Sequence, residues 1–334
     1  MPAYCTCPSC RPPDRDTADD TVYPTCDQCG TPEGAYGPNC NCYDYCDTCD
    51  QREYRCRCCG YCERYPCRCN VCEDCDCDPC ECRDEGLESY GFKPTPLFHG
   101  DGPLFMGLEL EVEMGGRSSR GDAVTAVHDA LGDLVYCKED SSLNTGFEIV
   151  THPMSWPHAL TVPWGTMLDD IRNLGAIEHD NAGLHVHVNR TAFDGPCHVY
   201  RWMKLFYRNE RQVARVARRR SEQWAPFRSN ARAAIKELAK GRSAYSQGLD
   251  RYQAINTAGA STFELRIFAS TLSLPTLTGT LGFVASTVDY TRSLTTQDIA
   301  QRDGWLWMSY VDFLRQRSDT YAPTLNLLES TCAC

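Results

Sequence analysis

Residues 107–113 read "GLELEVE", where three glutamates alternate with three aliphatic residues. A period of two predicts a half-buried strand whose polar side chains all project from one face. Glu109, Glu111 and Glu113 would then stand about 7 Å apart, because a strand rises roughly 3.4 Å per residue. Like charges stacked in this way are unfavourable, so either water or cations must cover this face of the strand.

The same alternation recurs in three later stretches, each with one apolar face for a core and one polar face. The polar residues are Glu148 in "GFEIV", His185 and His187 in "LHVHV", and Glu264 and Arg266 in "FELRIF". Taken alone, each strand is compatible with a solvated surface or a same-face ion pair, whereas four such strands predict one continuous polar lining. Carboxylates with an imidazole are typical of Mg²⁺ or Mn²⁺ sites. A catalytic zinc site more often has two or three histidines.

The segments between and after these strands have the residue pattern of helices. We predict helices at 120–132, 157–174, 198–220, 275–293 and 304–317. Strands separated by helices indicate a mixed α+β domain. The helix at 198–220 has a basic side, which is either a solvated face or a place where arginines meet an anionic substrate. Its arginines are Arg208, Arg211, Arg215, Arg218 and Arg219.

The cysteines divide the chain into two parts. Twenty of the 24 cysteines lie before residue 83, and residues 1–90 carry a net charge of −11 out of −12 for the whole chain. A stretch rich in proline and glycine follows them. We therefore predict a small Cys-rich module at 1–87, a linker at 88–103 and a nearly neutral second domain at 104–334.

Many of these cysteines form CxxC pairs, whose two-residue gap presents both thiolates to one tetrahedral zinc ion. The pairs predicted to bind structural zinc are Cys7 and Cys10, Cys26 and Cys29, Cys46 and Cys49, Cys59 and Cys62, Cys72 and Cys75, and Cys77 and Cys80. Twenty thiols would supply about five such sites at four ligands each. A disulfide scaffold and iron–sulfur clusters are the alternatives. The amino terminus "MPAYCTCPSC" lacks a signal peptide, which favours zinc in a thiol-reducing cytoplasm.

The charge and hydropathy of the chain limit its partners. An acidic module opposes contacts with phosphates, so we expect no nucleic-acid binding. We expect instead a protein partner that docks on the Cys-rich module. No run of about 18 apolar residues occurs, so we expect no membrane span.

The order of the motifs resembles that of a known family. GxExE is followed by D-x7-E, then GxHxH, then N-x7-ExR, as in the amidoligases. These are carboxylate–amine ligases related to glutamine synthetase and glutamate–cysteine ligase, and the similarity covers about residues 104–293. The resemblance implies a glutamine synthetase-like catalytic domain at 104–334. In that fold an antiparallel, funnel-shaped sheet flanked by helices binds ATP and two or three Mg²⁺ or Mn²⁺ ions.

The resemblance also implies a role for each matching residue. The metal ligands would be Glu109, Glu111, Asp140, Glu148, His185 and Glu264, with His187 beside them on the same strand face. Glu139 adjoins Asp140, and either could face the metals. Arg266 would contact phosphate, whereas Arg251 and Asn256 in "RYQAIN" would contact substrate or nucleotide.

The implied activity is ATP-dependent formation of an amide or isopeptide bond. ATP phosphorylates a carboxylate, and an amine then displaces phosphate from the acyl phosphate. The acid and the amine could each be a small molecule, a peptide or a protein. One alternative is a metal-dependent hydrolase with a single zinc held by His185, His187 and Glu264. Another is a zinc-organised interaction protein whose ligase-like domain is inactive.

Overall fold

The structure is a computed structural model that describes residues 86–115 and 120–333. The cysteines predicted to bind zinc lie outside these residues. The predicted linker begins within the described part of the chain, and its first residue belongs to a short strand. That strand, β1, spans Leu87–Glu88.

Eight strands are present in the described residues. They are β1 (Leu87–Glu88), β2 (Met106–Met114), β3 (Val135–Lys138), β4 (Phe147–Thr151), β5 (Ala176–Ile177), β6 (Gly183–Asn189), β7 (Ile255–Asn256) and β8 (Thr262–Ala269). The stretches "GLELEVE", "GFEIV", "LHVHV" and "FELRIF" fall in β2, β4, β6 and β8. The strand predictions at these four positions are therefore confirmed.

Ten α-helices accompany the strands in the described residues. They are α1 (Arg120–Leu131), α2 (Trp156–Ala159), α3 (Trp164–Asn173), α4 (Pro196–Arg208), α5 (Glu210–Ala217), α6 (Ser229–Ala239), α7 (Leu274–Ser293), α8 (Thr296–Gln301), α9 (Trp307–Arg315) and α10 (Ser318–Ser330). Helices α6, α8 and α10 were not predicted. Across residues 86–115 and 120–333, no helix combines the length and the apolar character that a bilayer crossing requires.

The strands form one sheet in the order β1-β3-β4-β2-β6-β8-β7, and β5 pairs with the end of β2. Every neighbouring pair is antiparallel except β1 and β3. A mostly antiparallel sheet flanked by helices confirms the predicted α+β class.

Alternation along the strands gives the sheet one apolar face. Leu108, Leu110 and Val186 are fully buried on that face. The core continues into the helices, where the ring of Trp202 in α4 lies 5.7 Å from that of Phe263 in β8. Burial of one large aliphatic side chain is worth about 1.5–3 kcal/mol. A shift of β2 by one residue would exchange these side chains for glutamates, so burial fixes the register.

The helix predicted at 198–220 is wrong at its centre, because the chain breaks there into α4 and α5. Asn209 lies between them with φ −107° and ψ 31°. Its side-chain amide donates to the carbonyl oxygens of Leu205 at 2.8 Å and of Trp305 at 3.0 Å. Side-chain to backbone bonds of this kind compete with helix continuation. Helix α5 then ends at Ala217, and Arg218, whose φ is 56°, turns the chain out of the helix.

The two ends of the strand order meet above the polar face. Tyr90 follows β1, and its ring centroid lies 5.9 Å from Nζ of Lys138 in β3. Arg251 precedes β7 at the other end, where its Nη2 donates to the hydroxyl of Tyr252 at 3.1 Å and its guanidinium lies close enough to Tyr90 to interact with it. Because β1 and β7 are the first and last strands in the order, this contact requires the sheet to curl around its polar face.

Gly146 provides a stability test of the pairing between β2 and β4. A Cβ at Gly146 would overlap the carbonyl oxygen of Val112 and lie 3.0 Å from Cα of Glu113. We predict that Gly146→Ala lowers the free energy of unfolding by more than about 2 kcal/mol, because the backbone of β2 must move. Urea denaturation followed by tryptophan fluorescence measures this change.

The matched control is Gly91→Ala, since a Cβ at Gly91 would meet nothing within 4 Å. Its effect should stay within about 0.5 kcal/mol. Equal stability of the two variants would contradict the close approach of Gly146 to β2.

Candidate metal centre

Strand pairing brings the predicted residues side by side on one face of the sheet. Paired residues of antiparallel neighbours project from the same side. The cross-strand pairs are Glu109 with His185, Glu111 with Glu148, and His187 with Glu264. Strands β4, β2, β6 and β8 therefore contribute to one continuous polar lining.

Three groups of side chains on this lining could each hold a metal ion. Within each group the candidate ligand atoms all lie within 4.8 Å of one another. The groups are Glu109, Glu148 and His185; Glu109, His187 and Glu264; and Glu111, Asp140 and Glu148. Glu109 and Glu148 each belong to two groups, so the three candidate sites are contiguous. Every residue predicted to bind a catalytic metal falls in one of them.

Glu109 lies between the two histidines of β6. Its Oε2 is 3.4 Å from Nδ1 of His185, and its Oε1 is 3.1 Å from Nε2 of His187. Burial acts to raise the pKa of Glu109, but the charge and hydrogen bonds of the two histidines hold it well below its usual value. Burial acts to lower the pKa of His187, yet Glu109 raises it. Glu109 therefore carries its negative charge at the centre of the face.

The negative charges of Glu148 and Glu111 are less well balanced by neighbouring positive charges and hydrogen-bond donors than that of Glu109. Glu148 pairs with Nζ of Lys138 at 2.8 Å, but burial and the nearby Glu109 raise the pKa of Glu148 to about 8. Burial also raises the pKa of Glu111, although the backbone N–H of Gly183 donates to it at 2.5 Å. Carboxylates forced together away from water take up protons unless a cation replaces them.

The donor set fits Mg²⁺ or Mn²⁺. Carboxylate oxygens outnumber imidazoles in the three groups, and hard divalent ions prefer oxygen ligands. His187 Nδ1 contacts the hydroxyl of Thr262 at 3.3 Å, and its Nε2 faces Oε1 of Glu109 at 3.1 Å. An outer contact on one ring nitrogen orients the other toward a metal.

Glu264 is held by two of the other predicted residues. Nδ2 of Asn256 donates to its Oε2 at 2.7 Å, and Nη1 of Arg266 donates to its Oε1. The Nε of Arg266 is buried and has no hydrogen-bond partner among the described residues. Arg251 lies next to this cluster across Tyr252, whose ring centroid is 5.0 Å from Cζ of Arg251 and 5.9 Å from Cζ of Arg266.

The turn between β3 and β4 presents Asp140 to the centre. Asp140 belongs to the third ligand group, whereas the adjacent Glu139 is exposed. Oδ1 of Asp140 accepts hydrogen bonds from the backbone N–H and the hydroxyl of Ser142, each at 2.6 Å. These local bonds fix the carboxylate, so Asp140 rather than Glu139 is the candidate ligand.

Glu113, the third glutamate of "GLELEVE", has a different role from its two neighbours. It is buried and belongs to none of the three ligand groups. It accepts the backbone N–H groups of Asn144 at 2.9 Å and of Thr145 at 3.1 Å. Burial acts to raise the pKa of Glu113, but these donors and Asn181 lower it. Glu113 thus ties the turn that carries Asp140 to β2.

Arg219 enters the site from the segment after α5, and the sequence could not separate it from the other arginines. A Cβ on Gly183 would lie 2.6 Å from Nη1 of Arg219, 3.1 Å from Nε2 of His185 and 3.4 Å from Oε2 of Glu111. Glycine at 183 therefore leaves the space that the guanidinium occupies. Burial lowers the pKa of Arg219, and the nearby Glu111 acts to raise it. In the sequence, only the glycine at the start of "GLHVHV" indicated that another side chain approaches β6 at this point.

No family model matches the chain, and no curated protein matches it at a significant level. The resemblance to the amidoligases therefore remains a prediction from motif order.

Glu148 gives the centre a specific pH dependence. Its pKa of about 8 means that it is protonated at neutral pH, and a metal must displace that proton. We predict that Mn²⁺ affinity rises about five-fold from pH 7 to pH 8, as the carboxylate ionises, and falls steadily below pH 7. Calorimetric titration with Mn²⁺ across this range measures the change.

Two variants test the origin of that pH dependence. Glu148→Gln should weaken Mn²⁺ binding and flatten its rise between pH 7 and pH 8, since an amide does not ionise. Glu139→Gln should leave the Mn²⁺ affinity and its pH dependence unchanged, because Glu139 is exposed and outside the ligand groups. A profile in Glu148→Gln as steep as that of the parent chain would exclude Glu148 as the titrating group.

Proposed function

We propose that the chain is an ATP-dependent carboxylate–amine ligase that forms an amide or isopeptide bond through an acyl phosphate. One observation carries this proposal: three contiguous carboxylate and histidine groups share Glu109 and Glu148 on one sheet face. A row of adjacent divalent sites suits a polyphosphate, whose charge is spread along its length. A hydrolase with one zinc would need neither the third group nor the surplus of carboxylates.

Bound Mg²⁺ or Mn²⁺ would supply neutralisation of the charge on the transferring phosphoryl group. Glu109, Glu148 and Glu264 would hold the ions, and Arg266 would add hydrogen-bond donors from the same face. Glu264 fixes the guanidinium of Arg266 from one side, which leaves its buried Nε for a phosphate oxygen. Donors aligned beforehand stabilise developing charge without reorganisation.

Two bond exchanges complete the reaction. A carboxylate oxygen of the acid attacks the γ-phosphorus of ATP, and the bond to the leaving ADP breaks. The amine then attacks the acyl carbon, phosphate leaves with the transferred oxygen, and the amine proton passes to solvent. Alignment of the reactants accounts for most of the acceleration in such a scheme, since no covalent enzyme intermediate is needed.

The curled sheet supports this chemistry because an acyl phosphate must be protected from water. Tyr90 and Arg251 meet over the polar face, and Lys138 lies beneath the ring of Tyr90. His185, Glu148 and Glu264 are buried below them. A reactive intermediate held on this face would be shielded from hydrolysis.

Oxygen transfer distinguishes a ligase from its alternatives. We predict that the chain with Mg²⁺, ATP, an amine panel and ¹⁸O-carboxylate acids releases phosphate that carries one ¹⁸O atom. Glu264→Ala and His185→Ala should each reduce this release at least about a hundred-fold. Circular dichroism should show that both variants stay folded. Mass spectrometry of the phosphate is the measurement, and Glu139→Gln is the control that should keep full activity.

Other results would point to the other functions. Ester or peptide hydrolysis without ATP would indicate a hydrolase. Failure to bind Mg²⁺–ATP would indicate an interaction protein with an inactive domain. Phosphate release without ¹⁸O would show that water, rather than a carboxylate, attacks ATP.

A further inference from the structure

A cavity of about 290 Å³ lies beside the metal centre, between α5, the segment that follows it and β8. Part of its wall is apolar, where Ala214, Phe227 and Ile267 line it. Its volume is at the lower end of the roughly 300–1,000 Å³ that is usual for ligand sites. Such a space accepts a molecule of a few carbon atoms rather than a nucleotide.

The remaining wall is strongly basic. Arg211, Arg219 and Arg220 line the cavity, and none of them has a direct ion pair or a hydrogen bond within the part of the chain that the structure describes. Arg211 and Arg220 are exposed, whereas Arg219 is half-buried and lies in the field of Glu111 and Asp180. Glu210 and Glu222 lie on the same wall, and Glu210 is already paired with Arg232 at 2.6 Å. Three guanidinium groups therefore face this space against one carboxylate without an ion pair, Glu222. An anionic ligand would satisfy them.

Arg219 connects the cavity to the metal centre. It lines the cavity, and its Nη1 lies against Gly183, whose backbone N–H binds Glu111. A small molecule in the cavity could thus contact Arg219 at one end while its other end faces the carboxylates and their metals. Arginine suits this position, because its planar donors bind a carboxylate in a bidentate manner.

We infer that this cavity binds the second anionic group of a small dicarboxylate, which is the acid substrate of the reaction. The inference rests on the proposed function for the fate of the first carboxylate, which lies at the metal centre. The second carboxylate binds Arg219, Arg211 and Arg220, and the carbon chain lies along Phe227 and Ile267. The chain is therefore selective for acids that carry two negative charges.

Direct binding tests this subsite without turnover. The full chain, with saturating Mg²⁺ and no nucleotide, is titrated by calorimetry with succinate, glutarate and adipate and with the monoamide of each. We expect one dicarboxylate to bind at least about ten-fold more tightly than its monoamide, which has the same length and one charge fewer. Arg219→Gln should remove this advantage.

Arg218→Gln is the matched control for the loss of an arginine. Arg218 is adjacent in sequence but faces Glu178, at 3.6 Å, and the hydroxyl of Thr271, at 3.3 Å. The variant should therefore bind the dicarboxylate as the parent chain does. An equal loss in Arg218→Gln and Arg219→Gln would overturn the assignment.

Three further outcomes would also overturn it. They are equal binding of diacid and monoamide, no binding by any of the three diacids, and weaker Mg²⁺–ATP binding in Arg219→Gln with unchanged dicarboxylate binding. The last would place Arg219 on phosphate instead. Dicarboxylate binding that depends on Arg219, without ¹⁸O transfer to phosphate, would keep the subsite and reject the ligase.

Discussion

Mutual repulsion among buried carboxylates is the constraint on which the rest of the site depends. Glu111, Glu148 and Glu264 are all buried on one sheet face, and Glu109 lies between them. Charges taken out of water are costly unless they are paired, and a pair of this kind rarely adds stability. The surrounding contacts hold these groups in place without neutralising them all. A face of this composition is therefore built for cations rather than for folding.

Much of the fold and the site was predictable, because two local rules act on the sequence directly. Strand alternation fixes which residues share a face, so "GLELEVE" and "LHVHV" predict their polar faces before the neighbouring strands are known. Burial of the apolar residues in the core then places the polar residues on the opposite face of the sheet. The resemblance to the amidoligases predicted the metal-capable residues. The sequence did not predict which strands pair, and hence which carboxylate stands beside which histidine.

The features that the sequence did not predict depend on contacts between distant segments. Asn209 ends α4 with a hydrogen bond to the carbonyl of Trp305, almost a hundred residues away, and no local sequence pattern predicts that bond. Arg219 resembles its neighbours in sequence and differs only because Gly183 leaves room for it. Glu113 projects from the same strand face as Glu109, but its carboxylate binds the backbone of the turn at Asn144 and Thr145 instead of facing the metal centre. Tertiary packing decides each of these cases.

Anomalous diffraction from crystals of the full chain grown with Mn²⁺ shows directly whether the polar face binds adjacent divalent ions. We expect at least two manganese peaks on the polar face, each at roughly 2.0–2.6 Å from carboxylate oxygens. Glu109 or Glu148 should bridge two of them. A single tetrahedral zinc on His185 and His187, or no metal on this face at saturating Mn²⁺, would contradict this expectation.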